Sequence, residues 1–118
     1  MEARALKKNI RLSPRKMRLV IDLIRGKKAN EALTMLRFHP KHAAHEAEMV
    51  LRSAVANLNQ KAMDEGIRIR DEEIFIKTAT VDCAAFFKRN QPRAKGMSFR
   101  IKKRNNHLTI VVGTEGNK

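Results

Sequence analysis

A chain of 118 residues with 26 Lys and Arg against 12 Asp and Glu carries a net charge of +14 at a pI near 10.8. That length suits one domain with one modest core. The self-repulsion of so large an excess opposes compaction and points to a polyanionic partner, nucleic acid first. No apolar run approaches the ~20 residues of a membrane span, the cations are not gathered on one amphipathic helix face, and the N-terminus lacks the apolar stretch of a signal peptide, so a cytoplasmic protein without membrane contact is expected.

The segment ARALKKNIRL reads as a short edge strand with Leu6, Ile10 and Leu12 on one side and Arg4 and Lys8 interrupting it. Ser13 followed by Pro14 marks a helix start, because the hydroxyl can cap and proline at the first helical position loses no hydrogen bond. Met17, Val20, Ile21 and Ile24 then recur at helical spacing, and Gly26 suits the left-handed residue that closes the helix, giving a span of about 14–25. After Lys27-Lys28, Asn30 is expected to cap a second helix that buries Ala32, Leu33 and Leu36 and ends before Pro40. The longest periodic run places Ala43, Ala47, Val50, Leu51, Ala54, Leu58 and Ala62 on one stripe up to Gly66. Its small side chains allow close approach, so this helix is expected to lie against a sheet.

Beyond Gly66 the period becomes two. Ile67 and Ile69 precede an acidic interruption at Asp71-Glu72-Glu73, with Glu72-Glu73 read as strand-edge polarity. Then Ile74, Ile76, Thr78 and Thr80 alternate with Phe75, Lys77, Ala79 and Val81. The alternation returns at Met97, Phe99 and Ile101 and again at Leu108, Ile110 and Val112, before a polar tail GTEGNK. The expected fold is α+β: three helices packed on a small antiparallel three-stranded sheet, residues 1–118 forming one domain. A long basic β-hairpin of about 82–106 protrudes from it.

No acidic residue stands between Asp82 and Glu115, whereas Lys88, Arg89, Arg93, Lys95, Arg100, Lys102, Lys103 and Arg104 all do. Strands leaving the body near Val81 and turning near Pro92 would reach on the order of 35 Å, well beyond the ~13 Å radius of gyration of a domain this size. A ribbon with charge of one sign on both faces is marginal in water, so it is expected to be loosely ordered until phosphates neutralise it. Pro92 and Gly96 fit a turn wider than two residues. Phe86, Phe87, Met97, Phe99 and Ile101 interleave with the cations, which suits packing on exposed bases or, for Phe99 and Ile101 as readily, packing across the two strands. A second basic region, Arg4, Lys7, Lys8, Arg11, Arg15, Lys16, Arg18, Arg25, Lys27 and Lys28, covers the first strand and helix and offers another phosphate-binding face.

Little here suggests catalysis. His42 and Glu46 share a helical face near His39 and His45, but the cluster lacks a full ligand set and reads as surface or capping histidines. There is no Gly-rich phosphate loop, nucleophile elbow or paired carboxylate site. The lone Cys83 excludes an intramolecular disulfide and a multi-cysteine zinc site. No cofactor, no metal, no enzymatic activity and no homo-oligomer are expected.

The stretches SPRKMRLVIDLIRGKKANEAL, AAHEAEMVLRSAVANL and KRNQPRAKGMSFRIKKRNNHLTIVV resemble the universal large-subunit ribosomal protein L-twenty-two family, bacterial type, nearly end to end. The resemblance implies a body on the outer surface of the large subunit near the nascent-chain exit, with the hairpin threaded through ribosomal RNA to line the peptide tunnel. It also implies early RNA binding in subunit assembly. The tip, Lys88, Arg89, Asn90, Gln91, Pro92, Arg93, Ala94, Lys95 and Gly96, would then meet the nascent peptide and approach a loop of ribosomal protein L-four at a constriction. Cys83-Ala84-Ala85 departs from the Glu-Gly-Pro common in relatives, and Met97 stands where a basic residue is frequent. The alternative is a histone-like DNA-bending protein, whose basic β-ribbon arms also carry a proline near the tip. In that class a helix follows the arms, whereas here the chain returns as the strand HLTIVV.

Overall fold

The computed structural model describes residues 1–114. Along the chain it forms β1 (Glu2–Ile10), α1 (Pro14–Ile24), α2 (Ala29–Phe38), α3 (His42–Asp64), β2 (Ile74–Cys83), β3 (Phe87–Pro92), β4 (Ser98–Lys103) and β5 (Asn106–Thr114). Two antiparallel sheets result, one of three strands in the order β1-β5-β2 and one of two strands, β3-β4. This is the expected α+β architecture. Its last strand is its central one, so the core closes only when both ends of the chain have met.

Helix starts and stops follow local chemistry. Ser13 caps α1 by accepting the Lys16 N–H at 3.3 Å, with Pro14 in the first turn, and Met17, Val20, Ile21 and Ile24 are buried as the spacing predicts. Helix α2 begins two residues earlier than expected. Lys28, not Asn30, is its N-cap residue, with no side-chain cap, because the preceding Lys27-Lys28 backbone is drawn out alongside β2, where the Ile76 N–H donates to the Lys27 carbonyl at 2.9 Å. Ala32 and Leu36 are buried in it and Leu33 is half-buried. The end of α3 is sealed by paired bonds, Gly66 N–H to the Met63 carbonyl at 3.1 Å and Ile67 N–H to the Ala62 carbonyl at 2.8 Å, with Gly66 at φ 70.

That cap corrects one expectation. Ile67 and Ile69 do not begin a strand, since Ile67 belongs to the helix terminus, and Asp71–Glu73 forms a 3-10 turn rather than a polar strand edge before β2 starts at Ile74. Two other corrections share a cause. In β1 the buried side chains are Ala5 and Ile10, while Leu6 is exposed, because the register shifts between Lys7 and Ile10 with Asn9 at φ 57. In β2 a shift between Ile76 and Thr78 puts Ile74, Ile76, Ala79 and Val81 on the core side in place of Thr78 and Thr80. A bulge reverses the face of every residue beyond it, so strict alternation across one goes wrong by one residue. At the other end, Gly113 and Thr114 of the expected tail are paired within β5, and Glu115 to Lys118 lie outside the described residues.

The helices cover one face of the larger sheet, where Leu108, Ile110 and Val112 are buried with the inward residues of β2. The stripe Ala43, Ala47, Val50, Leu51, Ala54, Leu58 and Ala62 is buried in full, and α3 packs on β1 and β5. Ala47 is wholly buried in this stripe. Replacing it with Leu is expected to cost about 1–3 kcal/mol through overpacking, read as a lower midpoint in urea unfolding with an unchanged m-value.

Candidate nucleic-acid interface

Beyond Cys83 the chain leaves the body. The molecule measures 67 × 26 × 20 Å with a radius of gyration of 17.7 Å, against the ~13 Å of a compact domain of this length. The excess is the β3-β4 arm, which overshoots the body as its length requires. Its register pairs Phe87 with Lys103, Lys88 with Lys102, Arg89 with Ile101, Asn90 with Arg100, Gln91 with Phe99 and Pro92 with Ser98. Directly opposed residues share a face, so the arm has two unlike sides. One carries Phe87, Arg89, Gln91, Phe99, Ile101 and Lys103, and the other Lys88, Asn90, Pro92, Ser98, Arg100 and Lys102.

Cations therefore stand on both faces of the ribbon, whereas Phe87, Phe99 and Ile101 all fall on one, beside Arg89 and Lys103. Phe86, Phe87, Met97 and Phe99 are all exposed. Arg89 lies 5.6 Å from the Phe87 ring centre, and Lys102 lies 4.9 Å from that of Phe86, so cations partly cover the rings. Lys88 faces Lys102 across the ribbon, a like-charge pair that weakens it. All eight arm cations are exposed, and among the described residues none forms an ion pair.

The tip is the wide turn that the sequence suggests. Arg93 to Met97 spans it, with Lys95 at φ 61, Gly96 at φ 70 and the Arg93 N–H donating to the Met97 carbonyl at 2.6 Å. Two successive left-handed residues turn the chain, and glycine meets the second at no steric cost.

The second basic region divides into two sets. Arg18 donates from Nη2 to the Val81 carbonyl at 2.9 Å, and Arg25 from Nε to the Ala79 carbonyl at 3.0 Å while also pairing with Asp22. Lys7 pairs with Glu46. These three cations brace the body. Arg4, Lys8, Arg11, Arg15, Lys16, Lys27 and Lys28 are exposed, and among the described residues they make no ion pair. Arg11 and Lys16, at the corner between β1 and α1, meet Arg89, Lys102, Lys103 and Arg104 at the base of the arm around a concave site of about 650 Å³. The structure thus joins two basic regions that lie some seventy residues apart in the chain.

The sequence reading missed the joint itself. Asn105, just before β5, and Asn106, its first residue, are buried where the arm joins the sheet. The Asn105 carbonyl accepts the Ala84 N–H at 3.1 Å, its Nδ2 donates to the Ala85 carbonyl at 3.0 Å, and Asn106 Nδ2 donates to the Leu12 carbonyl at 2.8 Å. Two successive asparagines between a basic and an apolar run were the available signal. Among the histidines, His39 accepts the Lys41 N–H on Nδ1 at 3.3 Å, and Nε2 of His42 lies 3.9 Å from Glu46. No three His, Cys, Asp or Glu converge on a metal position among the described residues.

Residues 5–113 match the family described as Ribosomal protein L22p/L17e. The chain belongs to this family. It is 44% identical over 98% of its length to the large ribosomal subunit protein uL22 of Bifidobacterium animalis subsp. lactis, covering 97% of that protein. It is 46% identical over 95% of each chain to uL22 of Pelotomaculum thermopropionicum. To uL22 of Pelodictyon phaeoclathratiforme it is 47% identical over 95% of this chain and 92% of the relative. Membership agrees with a non-enzymatic reading of the site. Cys83, exposed at the end of β2, and Ala84-Ala85 lie at the joint that Asn105 holds.

Replacing Lys88 with Glu turns the opposed Lys88–Lys102 pair into an attractive one. Amide exchange of the free protein is expected to show β3 and β4 far less protected than α3, and K88E is expected to raise their protection up to about fivefold, for a gain of about 0.2–1 kcal/mol.

Proposed function

We propose that this protein is a structural component of the large ribosomal subunit that binds ribosomal RNA, aids assembly of the subunit and lines the nascent-peptide exit tunnel with its arm. The observation that carries the reading is the arm: eight exposed cations, none in an ion pair among the described residues, on a ribbon that extends away from its own core. Such a ribbon has no internal source of counter-charge, and converging RNA helices supply one. Family membership gives the large subunit as the setting.

In this reading Lys88, Arg89, Arg93, Lys95, Arg100, Lys102, Lys103 and Arg104 contact RNA along the arm. Arg4, Lys7, Lys8, Arg11, Arg15, Lys16, Arg18, Arg25, Lys27 and Lys28 form the contact face on the body, with Arg18, Arg25 and Lys7 holding the scaffold as well. Residues Lys88 to Gly96 make the tunnel-facing tip, near ribosomal protein L-four and the nascent chain. The long axis of 67 Å gives the reach to connect an outer surface with an interior passage. A DNA-bending protein of the ribbon-arm class fits less well, because β5 returns into the sheet and completes the core within one chain.

Replacing Arg93, Lys95 and Lys102 together with Ala is expected to leave the unfolding midpoint of the body unchanged. Affinity for large-subunit RNA should fall most at low salt, and the slope of log K against log salt should become shallower by about 2 to 3. The intact protein is expected to cosediment with large subunits and to leave them only at high salt. Failure to cosediment, or a slope that the triple variant does not change, would overturn the reading.

A further inference from the structure

The concave site at the base of the arm differs from the rest of the basic surface. The arm offers cations on an open ribbon, whereas here two parts of the molecule face one another. Arg11, Leu12 and Lys16 come from the corner between β1 and α1, and Phe87, Lys103 and Arg104 from the arm. Carboxylates are missing from the lining. The volume, about 650 Å³, suits one or two nucleotides and not a duplex. A site for phosphate alone would need no apolar wall, yet Leu12 and the half-exposed ring of Phe87 supply one. Phe87 has Lys103 opposite it in the ribbon rather than another apolar side chain, and the contact recorded over its ring is the Arg89 guanidinium at 5.6 Å, a flat cation that can stack together with a base.

We propose that this site seats a single unpaired RNA nucleotide, its base stacked on Phe87 beside Leu12 and its flanking phosphates on Arg11, Lys16 and Arg104. Bases that are unpaired and turned outward are the ones that proteins read by aromatic stacking, and stacking leaves the phosphates free for cations on either side. The proposal rests on the RNA-binding reading above and gives it a local consequence. The arm joins the body through the backbone and side chain of Asn105, and a nucleotide bridging the corner and the arm base would fix the arm's direction.

The test uses the full chain and three hairpin RNAs: one with a single bulged adenosine, one with an abasic residue at the bulge, and one fully paired. Fluorescence anisotropy is expected to give roughly tenfold tighter binding of the adenosine bulge than of the abasic bulge, since the phosphates are the same and only the stacked base is lost. Phe87→Ala should bring that ratio to about one, and Phe87→Tyr should keep it, with circular dichroism checking that both variants fold. Equal affinity for the two bulges in the unmodified protein, or a ratio that survives Phe87→Ala, would overturn the nucleotide site. Should salt-dependent RNA binding persist in that case, only this site falls; absence of salt-dependent binding to any of the three would remove the RNA reading along with it.

Discussion

Like charge without a counter-charge governs this molecule. Through Asp82 the chain holds 17 cations and 11 acids, a net charge of +6 that ion pairs such as Lys7–Glu46 and Arg52–Glu48 moderate. The arm then adds eight cations and no acid. At contact distances in water two like charges repel by about 1 kcal/mol, and the ribbon, two strands wide, has no core with which to absorb several such terms. Separating the two regions lets the body fold by burying Leu, Ile, Val and Ala while the arm defers its electrostatics to a partner.

Separation makes the attachment critical, and the body spends polar groups on it. Asn105 and Asn106 are buried where charged or apolar neighbours would be expected, each donating to a carbonyl of a different segment. Arg18 and Arg25 reach from α1 to carbonyls of β2, tying the helix to the strand from which the arm departs. These bonds are formed within the chain. An arm anchored this way can be mobile along its length while its origin stays fixed, and origin and direction are what a partner with a narrow passage would require.

Much of this was legible in the residues and some was not. The Ser13-Pro14 start, the alanine stripe of α3 and the β5 alternation of Leu108, Ile110 and Val112 depend on local periodicity and short-range caps, which a sequence displays directly. The reach of the arm followed from strand rise and the position of the turn. The faces of β1 and β2 were misjudged because the bulges near Asn9 and Lys77 answer to register with β5, a non-local fact. Arg18 and Arg25 looked like free cations because their acceptors are backbone carbonyls more than fifty residues away. The joint at Asn105 and the concave site escaped for the same reason: each is made where distant segments meet.

The two faces of the arm carry the argument one step further. A ribbon that met only phosphates would gain nothing from Phe87, Phe99 and Ile101 on one side, and the two exposed rings with the half-buried Ile101 between them would invite self-association. The neighbouring cations discourage that in the free chain: Arg89 and Lys103 share the apolar face, and repulsion between arms opposes strand-to-strand pairing. Against RNA the same cations would become attractive and the apolar groups would meet sugars and bases. One charge pattern therefore protects the arm from its own kind and selects a polyanion, and the apolar face gives it grip only after that selection has been made.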